Sequence, residues 1–138
     1  MSFSPYLFFS GNCAEAFRRY HEVLGGQLDV MTHEALPPGA DPMPGAEPHH
    51  VMHACITLDG GMLMGSDDPS GDDGPKTGIG VTFTAPDVDT ARRVFEQLSD
   101  GGTVTMAFEP TFWSSGFGSC VDRFGVSWMI DTAGTPAT

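Results

Sequence analysis

Apolar side chains recur along this chain at two spacings, every second residue or every third and fourth, and the switches between them mark its elements. Tyr6-Leu7-Phe8-Phe9 is a short aromatic-rich strand. Cys13, Ala16, Phe17, Tyr20 and Leu24 then follow helical spacing. This predicts a helix capped by Asn12, with Glu15 completing a capping box, and ended by the left-handed exit of Gly25-Gly26. Residues 27–34 read as the next strand. Residues 36–48 carry Pro37, Pro38, Pro42, Pro44 and Pro48, which remove ladder donors, so this stretch is a long loop. A loop of that length serves as a lid, a dimer contact or a plain connector. Residues 50–58 and 62–65 are strands around the Asp59-Gly60-Gly61 turn, and residues 66–76 form a polar, acidic Gly/Pro loop.

The pattern then repeats. Residues 80–85 are a strand, Asp87 caps a helix with the apolar stripe Val88, Ala91, Phe95 and Leu98, Gly101-Gly102 ends it, and residues 103–108 are a strand. Ala16-Phe17-Arg18-Arg19-Tyr20 and Ala91-Arg92-Arg93-Val94-Phe95 each place a basic pair and a later aromatic after an alanine. Self-similarity of this kind defines the fold. The chain closes on residues 112–131, an aromatic loop, a strand, an Asp122-x-x-Gly125 turn that needs the positive φ of glycine, and a last strand. The expected fold is α+β, from two paired βαβββ modules of roughly residues 1–68 and 78–133, linked by the acidic Gly/Pro loop. Their strands are expected to form a curved mixed sheet around a cleft, with the helices outside.

Charge narrows the partners. Eighteen acidic and six basic residues give 6 − 18 = −12, which argues against nucleic acid or an anionic membrane, since both require a positive face. A cationic or neutral small ligand is allowed, and solubility alone also accounts for the charge. Three scattered cysteines, Cys13, Cys55 and Cys120, form no CxxC pair and support neither a disulfide framework nor a thiolate zinc site. No apolar run approaches the roughly 20 residues of a membrane span, and the first residues lack the basic segment and apolar run of a signal peptide. A soluble cytoplasmic protein with reduced thiols is expected.

Candidate chemistry is sparse. His49, His50 and His53 suggest a metal cluster, but on a strand His49 and His53 lie about 13 Å apart and His50 faces the other way. His53 remains as a hydrogen-bonding group or base, or as a structural histidine. Glu34, after His33, is a strand-end carboxylate. Asp67, Asp68, Asp72 and Asp73 lack the spacing of a calcium loop and read as a hydrated acidic segment. Phe112, Trp113, Phe117 and Trp128 either form an aromatic wall for a planar or cationic ligand or belong to the core. Met31, Met52, Met62, Met64, Met106 and Met129 spread adaptable thioether surface through the strands.

Together, Gly11-Asn12-Cys13-Ala14-Glu15-Ala16-Phe17, Tyr20-His21, Leu24-Gly25-Gly26, His53, Leu63-Met64-Gly65-Ser66-Asp67, Phe112-Trp113, Phe117-Gly118, Asp122-Arg123-Phe124-Gly125 and Trp128-Met129 form a pattern over the whole chain. It resembles the PhnB-like branch of the vicinal oxygen chelate superfamily, which includes glyoxalase I, bleomycin-resistance proteins and extradiol dioxygenases. The resemblance implies the paired βαβββ fold and a homodimer. Metal-dependent members hold their ion through His or acidic residues on the first and last strand of each module. Here those slots fall near Pro5, in residues 78–83 without His or carboxylate, at Met62-Leu63-Met64 and at Met129. Thioethers do not suit hard divalent ions, so no metal and no cofactor is expected. Members of the branch are often labelled methyltransferases, but no strand, glycine-rich loop and helix unit for a nucleotide-type cofactor is present. The expected function is binding of a cationic or aromatic small molecule, with His53, Asp67, Trp113, Phe112, Met64 and Phe117 as ligand contacts and no assigned catalytic residue. The alternatives are an enzyme of the superfamily, lyase or dioxygenase in type, with a displaced metal site, and a structural or regulatory dimeric module.

Overall fold

The computed structural model describes residues 1–41, 43–71 and 74–133, so Pro42, Asp72 and Asp73 of the sequence reading lie outside it. The chain divides into two compact units, Met1–Asp73 and Gly74–Thr138. In the first, strand β1 (Tyr6–Phe9) leads to helix α1 (Cys13–Leu24), then to β2 (Gln27–Thr32), β3 (Val51–Leu58) and β4 (Gly61–Asp67). In the second, β5 (Val81–Ala85) leads to α2 (Val88–Ser99), then to β6 (Thr103–Glu109), β7 (Phe117–Val121) and β8 (Ser127–Thr132). Each unit is one βαβββ module, and the fold is α+β. The eight strands form two four-stranded mixed sheets, ordered β1-β4-β3-β2 and β5-β8-β7-β6. In each, the first strand runs parallel to the last and the other pairs are antiparallel. The internal repeat thus corresponds to one topology built twice.

In the first unit, Cys13, Ala16, Phe17, Tyr20 and Val23 of α1 are buried with Leu7, Phe9, Ala54, Ile56 and Leu63 of the strands. Val23 rather than Leu24 completes the buried stripe, three residues on from Tyr20. Each large side chain buried here contributes roughly 1.5–3 kcal/mol of transfer free energy. Phe17 lies so close over β4 that a Cβ on Gly65 would stand 2.6 Å from its ring. In the second unit the ring of Phe95 covers Gly118 in the same way, at 2.9 Å. Ala91, Val94, Phe95 and Leu98 form the stripe of α2. Val88 lies at its edge, since Val94 takes the inner position.

The helix starts differ from one another. Asp87 caps α2 as expected, its Oδ1 accepting from Thr90 N at 2.7 Å. Asn12 makes no side-chain cap on α1. There Asp67 substitutes from the end of β4, accepting from Gly11 N at 2.8 Å and Cys13 N at 3.0 Å. Strand β2 also ends earlier than its sequence suggests. A register shift between Met31 and Thr32 breaks the ladder, and His33–Ala35 forms a 3-10 turn. At the chain's closing turn Gly125 has φ +85°. The buried Asp122 accepts from Phe124 N, Val126 N and Trp128 Nε1. No helix among the described residues is long and apolar enough to cross a membrane.

Candidate functional site

Strand alternation decides what each sheet presents on the side away from its helix. In the first unit Leu7 and Phe9 point to α1, so Tyr6 and Phe8 point away from it. Tyr6 pairs with Met64, Met64 with Cys55, and Met31 with His53, which places these side chains on the same open face with Met62. Tyr6, Phe8, Met31 and Met62 are exposed, and Met64 and His53 are half-buried. The Tyr6 hydroxyl lies 3.2 Å from His53 Nδ1, and the two rings are 5.8 Å apart at 38°. The Phe8 ring is 5.1 Å from Tyr6. The His53 ring makes no other hydrogen bond to the described residues, so Nε2 is open to a ligand. The face therefore offers an apolar floor with one oriented imidazole, suited to an apolar molecule carrying one hydrogen-bonding group.

Asp67 does not join this face. It is 1% exposed. Besides the two bonds at the start of α1, its Oδ2 accepts from Val51 N at 2.8 Å. The expected ligand contact is thus a structural carboxylate, with both oxygens committed to backbone donors. Met64 stands three residues earlier on β4, and an odd separation turns the two side chains to opposite faces.

The histidines also depart from the strand reading. Strand β3 begins only at Val51, and residues 47–50 form a turn closed by His50 N donating to Glu47 O at 3.0 Å. Glu47, His49 and His50 thereby bring ligand atoms within 4.8 Å of one another, the one such group among the described residues. However, His50 Nδ1 already accepts from Glu47 N at 2.9 Å. That fixes the ring proton on Nε2, so metal binding through this ring requires breaking that bond. Of the positions that the resemblance matches to metal ligands, near Pro5, in residues 78–83, at Met62-Leu63-Met64 and at Met129, none offers a His or carboxylate, and the last two offer thioethers. The donor set does not fit a hard divalent ion.

In the second unit Phe112, Trp113 and Phe117 form a chain of edge-to-face rings, with centroids 4.7 and 5.3 Å apart. The loop carrying them is fixed from below. Buried Ser114 donates through Oγ to Gly116 O at 2.8 Å, and its N–H donates to Thr111 Oγ1 at 3.1 Å. Phe112 is 91% exposed and Trp113 47%. Trp128, by contrast, is a core residue whose indole N–H is held by Asp122 at 2.9 Å. The expected site residues thus fall into two groups, His53 and Met64 in the first unit and Phe112, Trp113 and Phe117 in the second. Tyr6, the hydrogen-bond partner of His53, is absent from the expected set. Its signal was available in the alternation of Tyr6 and Phe8 with Leu7 and Phe9.

A model of the glyoxalase/bleomycin resistance protein/dioxygenase superfamily matches residues 2–130. The chain belongs to this superfamily, in its PhnB-like branch. Protein YjdN of Escherichia coli strain K12 is 32% identical over 139 residues, covering 95% of each chain. Among solved structures, protein PA1353 from Pseudomonas aeruginosa is 39% identical with a TM-score of 0.82, over 96% of this chain and 97% of that one. The PhnB protein from Bacillus cereus is 25% identical with a TM-score of 0.75, over 96% and 100%.

Proposed function

We propose that this chain binds a small aromatic or cationic molecule without a metal ion. The observation that carries the reading is the Tyr6–His53 pair, an oriented imidazole standing among exposed Phe8, Met31 and Met62. Apolar side chains left in water with one directed polar group are what a ligand surface requires. The exposed Phe112 and Trp113, with Phe117, are contacts of the same kind in the second unit. The net charge of −12 favours a cation. The reading includes a homodimer, and a reducing cytoplasm, the latter supported by three buried cysteines that form no disulfide among the described residues. Light scattering at twice the chain mass is the result expected for the dimer.

A thermal-shift screen of aromatic amines, alcohols and carboxylates tests the function. A ligand at a hundredfold excess over its Kd stabilises by about 2.7 kcal/mol, a readily measured rise in Tm. His53→Phe, which keeps an aromatic ring but removes the hydrogen bond, is expected to weaken binding of any hit. A flat screen refutes the binding reading. Stoichiometric metal in the purified protein, lost in His53→Ala, refutes its metal-free part and favours an enzyme of the superfamily.

A further inference from the structure

The second sheet presents an arrangement that neither the aromatic chain nor the net charge describes alone. Glu109 of β6 pairs with Phe117 of β7, and Phe117 pairs with Asp131 of β8. Cross-strand partners share a face, so an aromatic ring stands between two carboxylates in a single row. With strands about 4.8 Å apart, the two acidic positions lie roughly 10 Å from each other across the ring. The row is on the face away from α2, because the next residue along, Gly118, is the one covered by Phe95. Trp113 adjoins the row, its ring edge-to-face with that of Phe117 at 5.3 Å and 72°.

The carboxylates are uncompensated. Neither Glu109 nor Asp131 makes an ion pair with a described residue. Asp131 Oδ1 is shielded from water and has no hydrogen-bond partner. A half-buried carboxylate with one oxygen deprived of both water and donor is poorly screened, so a cation held over the row lowers its energy without touching that oxygen. Aromatic rings do not ligate a hard metal ion, whereas an organic ammonium group suits a carboxylate beside an aromatic ring, because ring quadrupole and carboxylate attract it together. Beside the row, Met106 pairs with Ser119 and Ser119 with Met129, which sets two exposed thioethers along the same face. They offer an apolar track leading away from the charge.

We propose that Glu109, Phe117, Asp131 and Trp113 bind the ammonium group of an amphiphilic amine whose apolar chain lies over Met106 and Met129. This rests on the small-molecule reading above and specifies its ligand class. The test is calorimetric titration with 4-phenylbutylamine, charged at neutral pH, and with its neutral counterpart 4-phenyl-1-butanol, while the indole N–H resonance of Trp113 is followed by NMR. The amine is expected to bind about tenfold more tightly and to shift the Trp113 signal. Asp131→Asn, or Glu109→Gln on the exposed edge strand should the first fail to fold, is expected to remove most of that preference. Asp41→Asn, which takes the same charge from an exposed loop of the first unit, is expected to leave it intact. Equal binding of amine and alcohol, weakened by His53→Phe, overturns the ammonium site and leaves the binding function standing. Equal losses from Asp131→Asn and Asp41→Asn reduce the preference to bulk charge and also overturn it. Binding of neither probe, in a protein that ignores the wider screen, overturns both.

Discussion

The assignment of Asp67 as structural can be tested by a single-atom exchange, Asp67→Asn. The carboxylate accepts from Gly11 N and Cys13 N on one oxygen and from Val51 N on the other, at 2.8, 3.0 and 2.8 Å. Asparagine can keep the first pair on its carbonyl oxygen, but its NH2 then faces the Val51 N–H, donor against donor. A hydrogen bond to a charged group is worth roughly 1.5–3 kcal/mol, and a buried donor left without a partner costs a similar amount. Allowing for local relaxation, the variant should lose about 2–3 kcal/mol, a large share of the 5–15 kcal/mol typical of a domain. With a urea m-value near 2 kcal/mol/M, the unfolding midpoint falls by about 1–1.5 M. Tryptophan fluorescence follows the transition. The folded variant, assayed well below its midpoint, should bind 4-phenylbutylamine as the parent does. An unchanged midpoint together with lost binding would refute the reasoning and return Asp67 to the ligand.

Three further outcomes follow from the geometry. Gly65→Ala drives a methyl group to 2.6 Å from the Phe17 ring, so it should cost about 1–3 kcal/mol by urea titration, part of it recovered by adding Phe17→Leu. Asp87→Ala removes the cap of α2 and should lower Tm at pH 7. The Thr90 backbone N–H holds the folded pKa of Asp87 below its ordinary 3.8, so this stabilisation is present above 3.8, is lost as pH falls through the folded pKa, and the gap between the two Tm values should narrow at lower pH. Burial, and then the nearby Asp122 charge, push the Cys120 thiol up from 9.0 to about 11. The unfolded chain therefore loses this proton first as pH rises, and stability should fall between those two values, less steeply in Cys120→Ala.

Local patterns in the sequence were enough for what local forces determine. The Asp87 cap, the positive φ of Gly125 and three of the four stripe positions of α2, Ala91, Phe95 and Leu98, depend on neighbours within a few residues, and each is found where its pattern puts it. Several of the misreadings involve distant partners. Asn12 looks like a cap, yet the N–H groups at the start of α1 are taken by a carboxylate more than fifty residues away. The 27–34 strand looks continuous, yet its partner begins only at Val51 and the ladder slips at Thr32. Tyr6 acquires a role only through His53, 47 residues distant.

The two ligand contacts proposed on β4 show that some of this was recoverable without a structure. Met64 and Asp67 are three residues apart on one strand, and a period of two sends them to opposite faces. If Leu63 and Gly65 face the helix, so does Asp67, and a carboxylate directed into a core must find donors there. The nearest unsatisfied donors are the first N–H groups of a helix, which α1 supplies. The same reasoning separates Asp122 from Asp131. Asp122 sits in a turn whose N–H groups converge on it, whereas Asp131 lies in a strand whose backbone is occupied by the ladder. Its Oδ1 consequently remains without a donor. A buried acid whose donors come from the backbone completes the fold, and one that lacks them is where a ligand's charge can be expected.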